Sequence, residues 1–155
     1  MLWGDRVFVA TENNGARLIS LTSDGSLIPG APPSHNADFN PDSHTPVASG
    51  KRLDGGDRGL QGFEASSDGH LQRVWTHADP RLNEYAFIAA AGRRILTLTH
   101  GCELVLWGDA GDSIRGLSHL KLKDDDTQTL SAPAFVGTRC FIRIGPELTC
   151  LDLRK

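Results

Sequence analysis

Cysteine is scarce in this 155-residue chain: three residues, at positions 102, 140 and 150. An odd and scattered set excludes a complete disulfide framework, and with no Cys-x-x-Cys pair or His/Cys cluster a structural zinc site is not expected. Aromatic residues make up only 6% of the chain, with a single Tyr, too few for a stacking platform that binds sugars or single-stranded nucleic acid. Positive charge is not in excess. Sixteen Lys and Arg against nineteen Asp and Glu leave a formal charge of -3, so no basic balance points to nucleic acid. No apolar run approaches a membrane span. Asp5 and Arg6 interrupt the stretch that would be the apolar core of a signal peptide at residues 1–10. The chain drops straight into a strand at its first residues, as one with an upstream part missing would, so an export signal is expected only outside it.

Gly and turn formers are what the sequence has in quantity. Seventeen Gly and eight Pro, with few helix-forming stretches, read as a turn-rich, all-β chain. Four segments share one pattern: "WGDRVFVA", "SGKRLDGG", "AGRRILTL" and "VGTRCFIR". Each has a Gly, any residue, an Arg and then a strand-like run. The glycines are Gly4, Gly50, Gly92 and Gly137, at intervals of 46, 42 and 45 residues, and the arginines are Arg6, Arg52, Arg94 and Arg139. A period in the forties is a repeat signature. A two-residue hairpin loop that begins with Gly supplies the positive φ that matches strand twist. The third strands read "LISL", "LQGF", "LVLW" and "LTCL". The fourth are expected at "SLI" (26–28), "HLQRVW" (70–75) and "LSHLKL" (117–122), with none in the last copy. Repeat units of about 1–43, 44–84, 85–130 and 131–155 follow, two full and two incomplete. The fold class is thus an all-β, partial β-propeller of about three and a half four-stranded antiparallel blades in a single domain, 1–155.

The segment "TPVASGKRLDGGDRGLQGFEASSDGHLQRVW" resembles one repeat of the quinoprotein-type, pyrroloquinoline-quinone-like β-propeller family. The matching positions are Thr45, Pro46, Val47, Gly50, Arg52, Leu53, Leu60, Phe63, Glu64, Ala65, Asp68, Gly69 and Trp75. The end of the chain, "SAPAFVGTRCFIRIGPELTCLDL", is similar to a last blade. The resemblance implies a larger closed ring, of which this chain is the C-terminal part or which two copies complete, and implies export to the periplasm or the outside of the cell. The quinone enzymes of that fold carry adjacent half-cystines, an Asp base and calcium ligands; no matching motif exists here, so no catalytic or cofactor-binding residue is carried over and no cofactor is expected. The third unit departs from the pattern in placing Trp107 on its third strand.

Several constellations admit both a functional and a structural role. The four Arg residues could ring one face and hold an acidic partner, or simply lay their stems on a neighbouring sheet with the heads paired or solvated. The Pro- and Asn-rich segment 29–44 reads as an inter-blade loop, and there His35, Asp38, Asp42 and His44 form a weak metal candidate whose spacing matches no familiar ligand pattern. The charge run at 121–131 reads as a solvated face. His77, Asp79 and His100 read as surface turn residues. Cys140 and Cys150 lie on neighbouring strands and read as small buried thiols. Trp3, Trp75 and Trp107, with Phe8, Phe63, Phe87, Phe135 and Phe141, read as inter-blade core. No nucleophile elbow, phosphate loop or HExxH motif occurs. Function is expected to be non-catalytic: a scaffold or protein-interaction module whose partners are further blades and an unidentified protein. The alternative is a segment of a quinone-dependent dehydrogenase.

Overall fold

The computed structural model describes residues 1–30, 34–41, 44–56, 58–66 and 69–154. Its strands form four antiparallel sheets in chain order. The first holds β1 (Leu2–Trp3), β2 (Arg6–Thr11), β3 (Gly15–Ser20) and β4 (Ser34–Asn36). The second holds β5 (Val47–Ser49), β6 (Arg52–Gly56), β7 (Leu60–Ala65) and β8 (Leu71–His77). The third holds β9 (Ala86–Ala91), β10 (Arg94–Thr99), β11 (Glu103–Asp109) and β12 (Ile114–Lys121). The fourth has three strands, β13 (Ala134–Val136), β14 (Arg139–Ile144) and β15 (Glu147–Asp152). Every strand pairs with its sequence neighbour. This is the up-and-down order of a propeller blade, repeated three times and then three-quarters of a time, as an open arc rather than a closed ring.

The first hairpin of each sheet is built the same way. The pairs Trp3↔Arg6, Ser49↔Arg52, Ala91↔Arg94 and Val136↔Arg139 each enclose a two-residue loop. The first loop residue, Gly4, Gly50, Gly92 or Gly137, has φ of 63°, 61°, 57° or 57°, and the second is not in the left-handed region. That is the type II′ pattern, in which only the first central position needs Gly.

Three cores lie between the four sheets, because the inner strands bury both faces. Phe8, Ala16 and Leu18 of the first sheet meet Leu53, Phe63 and Leu71 of the second. Leu60 and Trp75 of the second meet Ala86, Ile88, Ile95, Val105 and Trp107 of the third. Leu98, Cys102 and Leu104 of the third meet Cys140, Ile142 and Ile144 of the fourth. The residue after each Arg packs backward on the preceding sheet: Leu53, Ile95 and Cys140 are 0–1% exposed. The residue two after the Arg faces forward: Phe8 lies in the first core and Leu96 packs against the third. Each fully buried Leu, Ile or Phe contributes roughly 1.5–3 kcal/mol, so these joints, more than the sheets by themselves, hold the arc together.

The segment 29–44 is not a plain loop, contrary to the sequence reading. The fourth strand of the first sheet is Ser34–Asn36, with His35 opposite Arg17. The expected strand at 26–28 yields a single bridge, Leu21↔Leu27. The turn closed by Thr22 and Ser26 is too tight to lay Leu27 and Ile28 on a sheet, and both stay exposed. Further on, Phe39 is fully buried between the first two sheets, its ring 4.7 Å from Phe63 and 6.3 Å from Phe8. A Cβ on Gly55 would come within 2.2 Å of that ring; the glycine makes the slot that Phe39 fills. A second insert between the second and third sheets, the 3-10 turn Pro80–Leu82, is capped by Asp79, whose carboxylate accepts from the Arg81 backbone N–H at 3.0 Å.

Candidate functional site

Polar chemistry concentrates in the clefts between sheets, and in the second cleft Arg52 sets it there. Arg52 starts β6 and crosses from the second sheet to the third. Its Nη2 donates to Glu64 Oε1 at 2.9 Å on its own sheet and to the Gly111 carbonyl at 2.8 Å on the next, and its Nη1 stands 3.7 Å from Asp109 Oδ1. Two strand positions on, in the same forward direction, lies Asp54, 2% exposed. Burial pushes its carboxyl up to about 7; Arg52 pulls it down and Asp109 pushes it further up. In the other three units the equivalent residue is apolar: Phe8, Leu96 and Phe141. Asp54 pairs across the sheet with Gly62, on which the Trp75 indole rests; a Cβ there would lie 2.3 Å from the ring. Asp54 Oδ1, Trp75 Nε1 and Arg52 Nε make no hydrogen bond among the described residues. A buried acid in this setting holds its proton at neutral pH more readily than an ordinary carboxylate.

The other arginines differ in surroundings. Arg6 lies half-buried in the first cleft, where Gly69 comes up against its guanidinium, and its ion pair is with the exposed Asp5 at 3.8 Å. Arg94 and Arg139 are exposed. The hairpins of neighbouring sheets also touch. Trp3 Nε1 donates to the Gly50 carbonyl at 2.9 Å, and Ser49 Oγ to the Gly92 carbonyl at 3.1 Å. Both donors immediately precede the turn Gly of their own sheet. Ala91 holds that place in the third sheet and has nothing to donate. The third joint is tied differently, by Thr129 Oγ1 to the Arg143 carbonyl at 2.9 Å and by Lys123 to Glu147 at 2.6 Å.

The chain matches no protein-family model and no curated protein.

The residues singled out from the sequence are placed as follows. His35 is exposed on β4, with Nε2 3.1 Å from the Asn14 carbonyl. Asp38 is exposed, His44 is buried over Gly56, and Asp42 lies outside the described residues, as does Asp68 of the repeat pattern. No group of three or more His, Cys, Asp or Glu able to hold a metal forms among the described residues. His77 packs edge-on to Trp107 at 5.1 Å. Asp79 is buried rather than at the surface, and is forked by Arg81, which also reaches Glu103 at 2.9 Å and covers the Trp107 ring at 5.6 Å. That fork holds the Asp79 carboxyl below its ordinary range. His100 is hydrogen-bonded to Glu84. Cys102 and Cys140 are buried thiols, raised by desolvation. Cys150 is a correction: it is exposed, because it pairs with Phe141 while Cys140 pairs with Leu151, which turns the two sulfurs to opposite faces. No described helix is long and apolar enough to cross a membrane.

Asp54, Asp109 and Phe39 do not stand out in the sequence read one unit at a time. For Asp54 the signal was available: aligning the four Gly-x-Arg segments puts one acid in a column of Phe and Leu.

Proposed function

We propose that this chain is a non-catalytic propeller-type repeat module that serves as a scaffold, with the two outer faces of its arc as interaction surfaces. One observation carries the reading. Positions buried at the inner joints are only half-buried on the first sheet, and both end sheets carry exposed apolar side chains on their outward faces. On the first sheet, Val7 and Ile19 occupy the places that Leu53 with Phe63, and Ile95 with Trp107, fill in the next two sheets, and Leu2 (73% exposed) and Val9 share their outward face. On the fourth sheet Phe141 stands where Phe8 and Leu96 stand, with Leu148 (71% exposed) and Val136 on the same face. Exposed apolar residues gathered on one sheet face favour association. Kinship with the quinoprotein-type repeat belongs to the same proposal, supported by the Gly-x-Arg hairpins and the blade-like strand order.

The solution mass tests it. Light scattering behind size exclusion is expected to give a multiple of 16.7 kDa, or a chain that becomes monodisperse only with a partner sheet. A well-behaved monomer whose Val7 and Phe141 amides exchange as slowly as those of Leu53 and Ile95 would defeat the proposal. The alternative, a segment of a quinone-dependent dehydrogenase, predicts a rise in Tm on adding the quinone with calcium; none is expected.

A further inference from the structure

The first cleft repeats the second with other residues at the two places where the second has its acids. At Arg52 the carboxylates come from Glu64, directly across the sheet, and from Asp109, at the end of the next sheet's third strand. Register fixes the matching places at Arg6. Across the sheet from it is Ser20, and at the end of the next sheet's third strand is Ala65. The cleft there opens into a recess of about 400 Å³ lined by Trp3, Asp5, Arg6, Leu18, Lys51 and Ala65, with Ser66 and the turn glycines beside them. A volume of that order suits a small organic ligand. Arg6 is 23% exposed at its side chain, so it is reachable, and its one ionic partner among the described residues is Asp5, itself 90% exposed and 3.8 Å away. A guanidinium offers five donors in a planar fork, and among the described residues this one is engaged only by Asp5.

We propose that the first cleft binds a carboxylate attached to an apolar or aromatic body. The carboxylate takes on Arg6 the place that the chain's own Glu64 and Asp109 take on Arg52. The Lys51 ammonium adds positive charge at the same cavity, and the apolar body lies among Trp3, Leu18 and Ala65. Asp5 is the competing group; its high exposure and long distance make its hold on Arg6 weak. A bidentate carboxylate displaces it because charge-assisted pairs of that geometry are shorter and stronger.

The test uses the whole chain, benzoate as probe and the Trp3 indole N–H cross-peak as readout. Benzoate is expected to shift that peak saturably, while benzamide, the same shape without the charge, leaves it in place. Arg6→Gln should weaken benzoate about tenfold or more. Ser20→Glu supplies the acid that the second sheet has; it should abolish binding with Tm unchanged or raised, which separates occupancy of the site from loss of fold. A blocked Phe-Glu dipeptide binding more tightly than benzoate would place the natural carboxylate on a partner protein; the reverse order would make it a free acid. The inference is overturned by an unmoved Trp3 peak, by benzamide matching benzoate, by binding that survives Ser20→Glu, or by inorganic phosphate binding as tightly as benzoate.

Discussion

Asp54 is one acid in an otherwise apolar column, and its titration sets a sign that can be checked. Its ordinary value of 3.8 applies in the unfolded chain, and about 7 in the fold. Between those values the folded chain holds the proton and the unfolded chain does not. The stabilisation is therefore complete below about pH 4 and is lost as pH rises towards 7, by a few kcal/mol at most. Urea titrations at pH 5 and pH 8 should show the chain more stable at the lower pH, and Asp54→Asn should flatten the difference. Asp54→Leu, which restores the residue type of the other units, should stabilise at pH 8 by about 1–3 kcal/mol; a loss there would mean that Arg52 depends on this carboxylate. Gly62 gives a second case. Gly62→Ala drives a methyl into the Trp75 indole and should cost about 1–3 kcal/mol by crowding a full core, read as a drop in Cm at constant m. Neither residue stands out when one unit is read alone. Asp54 emerges only from the comparison of copies, and the role of Gly62 only from knowing that Trp75 folds back over it.

At the scale of the element, the hairpins were the most legible feature. Gly followed two places later by Arg fixes both the loop length and the register, since a two-residue loop permits one pairing. Gly50→Ala, at φ 61° with open space around it, should cost about 1 kcal/mol from backbone strain alone. Gly101→Ala, also in open space but not in the left-handed region, should be neutral in the same thermal melt, so the pair isolates conformation from packing. The fourth strand of the first sheet was not legible. "SHN" has none of the β-branched or aromatic content that announces a strand, and it is a strand because His35 and Ser34 meet Arg17 and Leu18 across the edge of β3. Phe39 was hidden for a related reason: a lone aromatic among Asn, Asp and Pro reads as loop until Gly55 is seen to leave room for it.

For the whole molecule, burial predicts an uneven resistance to opening. The second and third sheets are covered on both faces, the first and fourth on one. In the dissociated arc amide exchange should therefore be slowest in β6, β7, β10 and β11 and fastest in β1, β13 and β15; in an assembly that covers the end faces the contrast should shrink. The number of sheets and their order were readable from the 42–46-residue spacing. The chemistry of the joints was not, because it depends on which residues of one unit meet which residues of the next.

Those unlike joints give the units addresses. The first joint combines the buried Phe39 with an Arg6 paired, among the described residues, only with the exposed Asp5, the second has Asp54, Arg52 and Asp109, and the third has Thr129, Lys123 and Glu147. Backbone geometry would let any sheet follow any other, yet a rearranged gene that moved the second unit to the end would carry Asp54 to a place where no Asp109 follows. The array is written in an alphabet of four similar letters, and its spelling lies in the spaces between them.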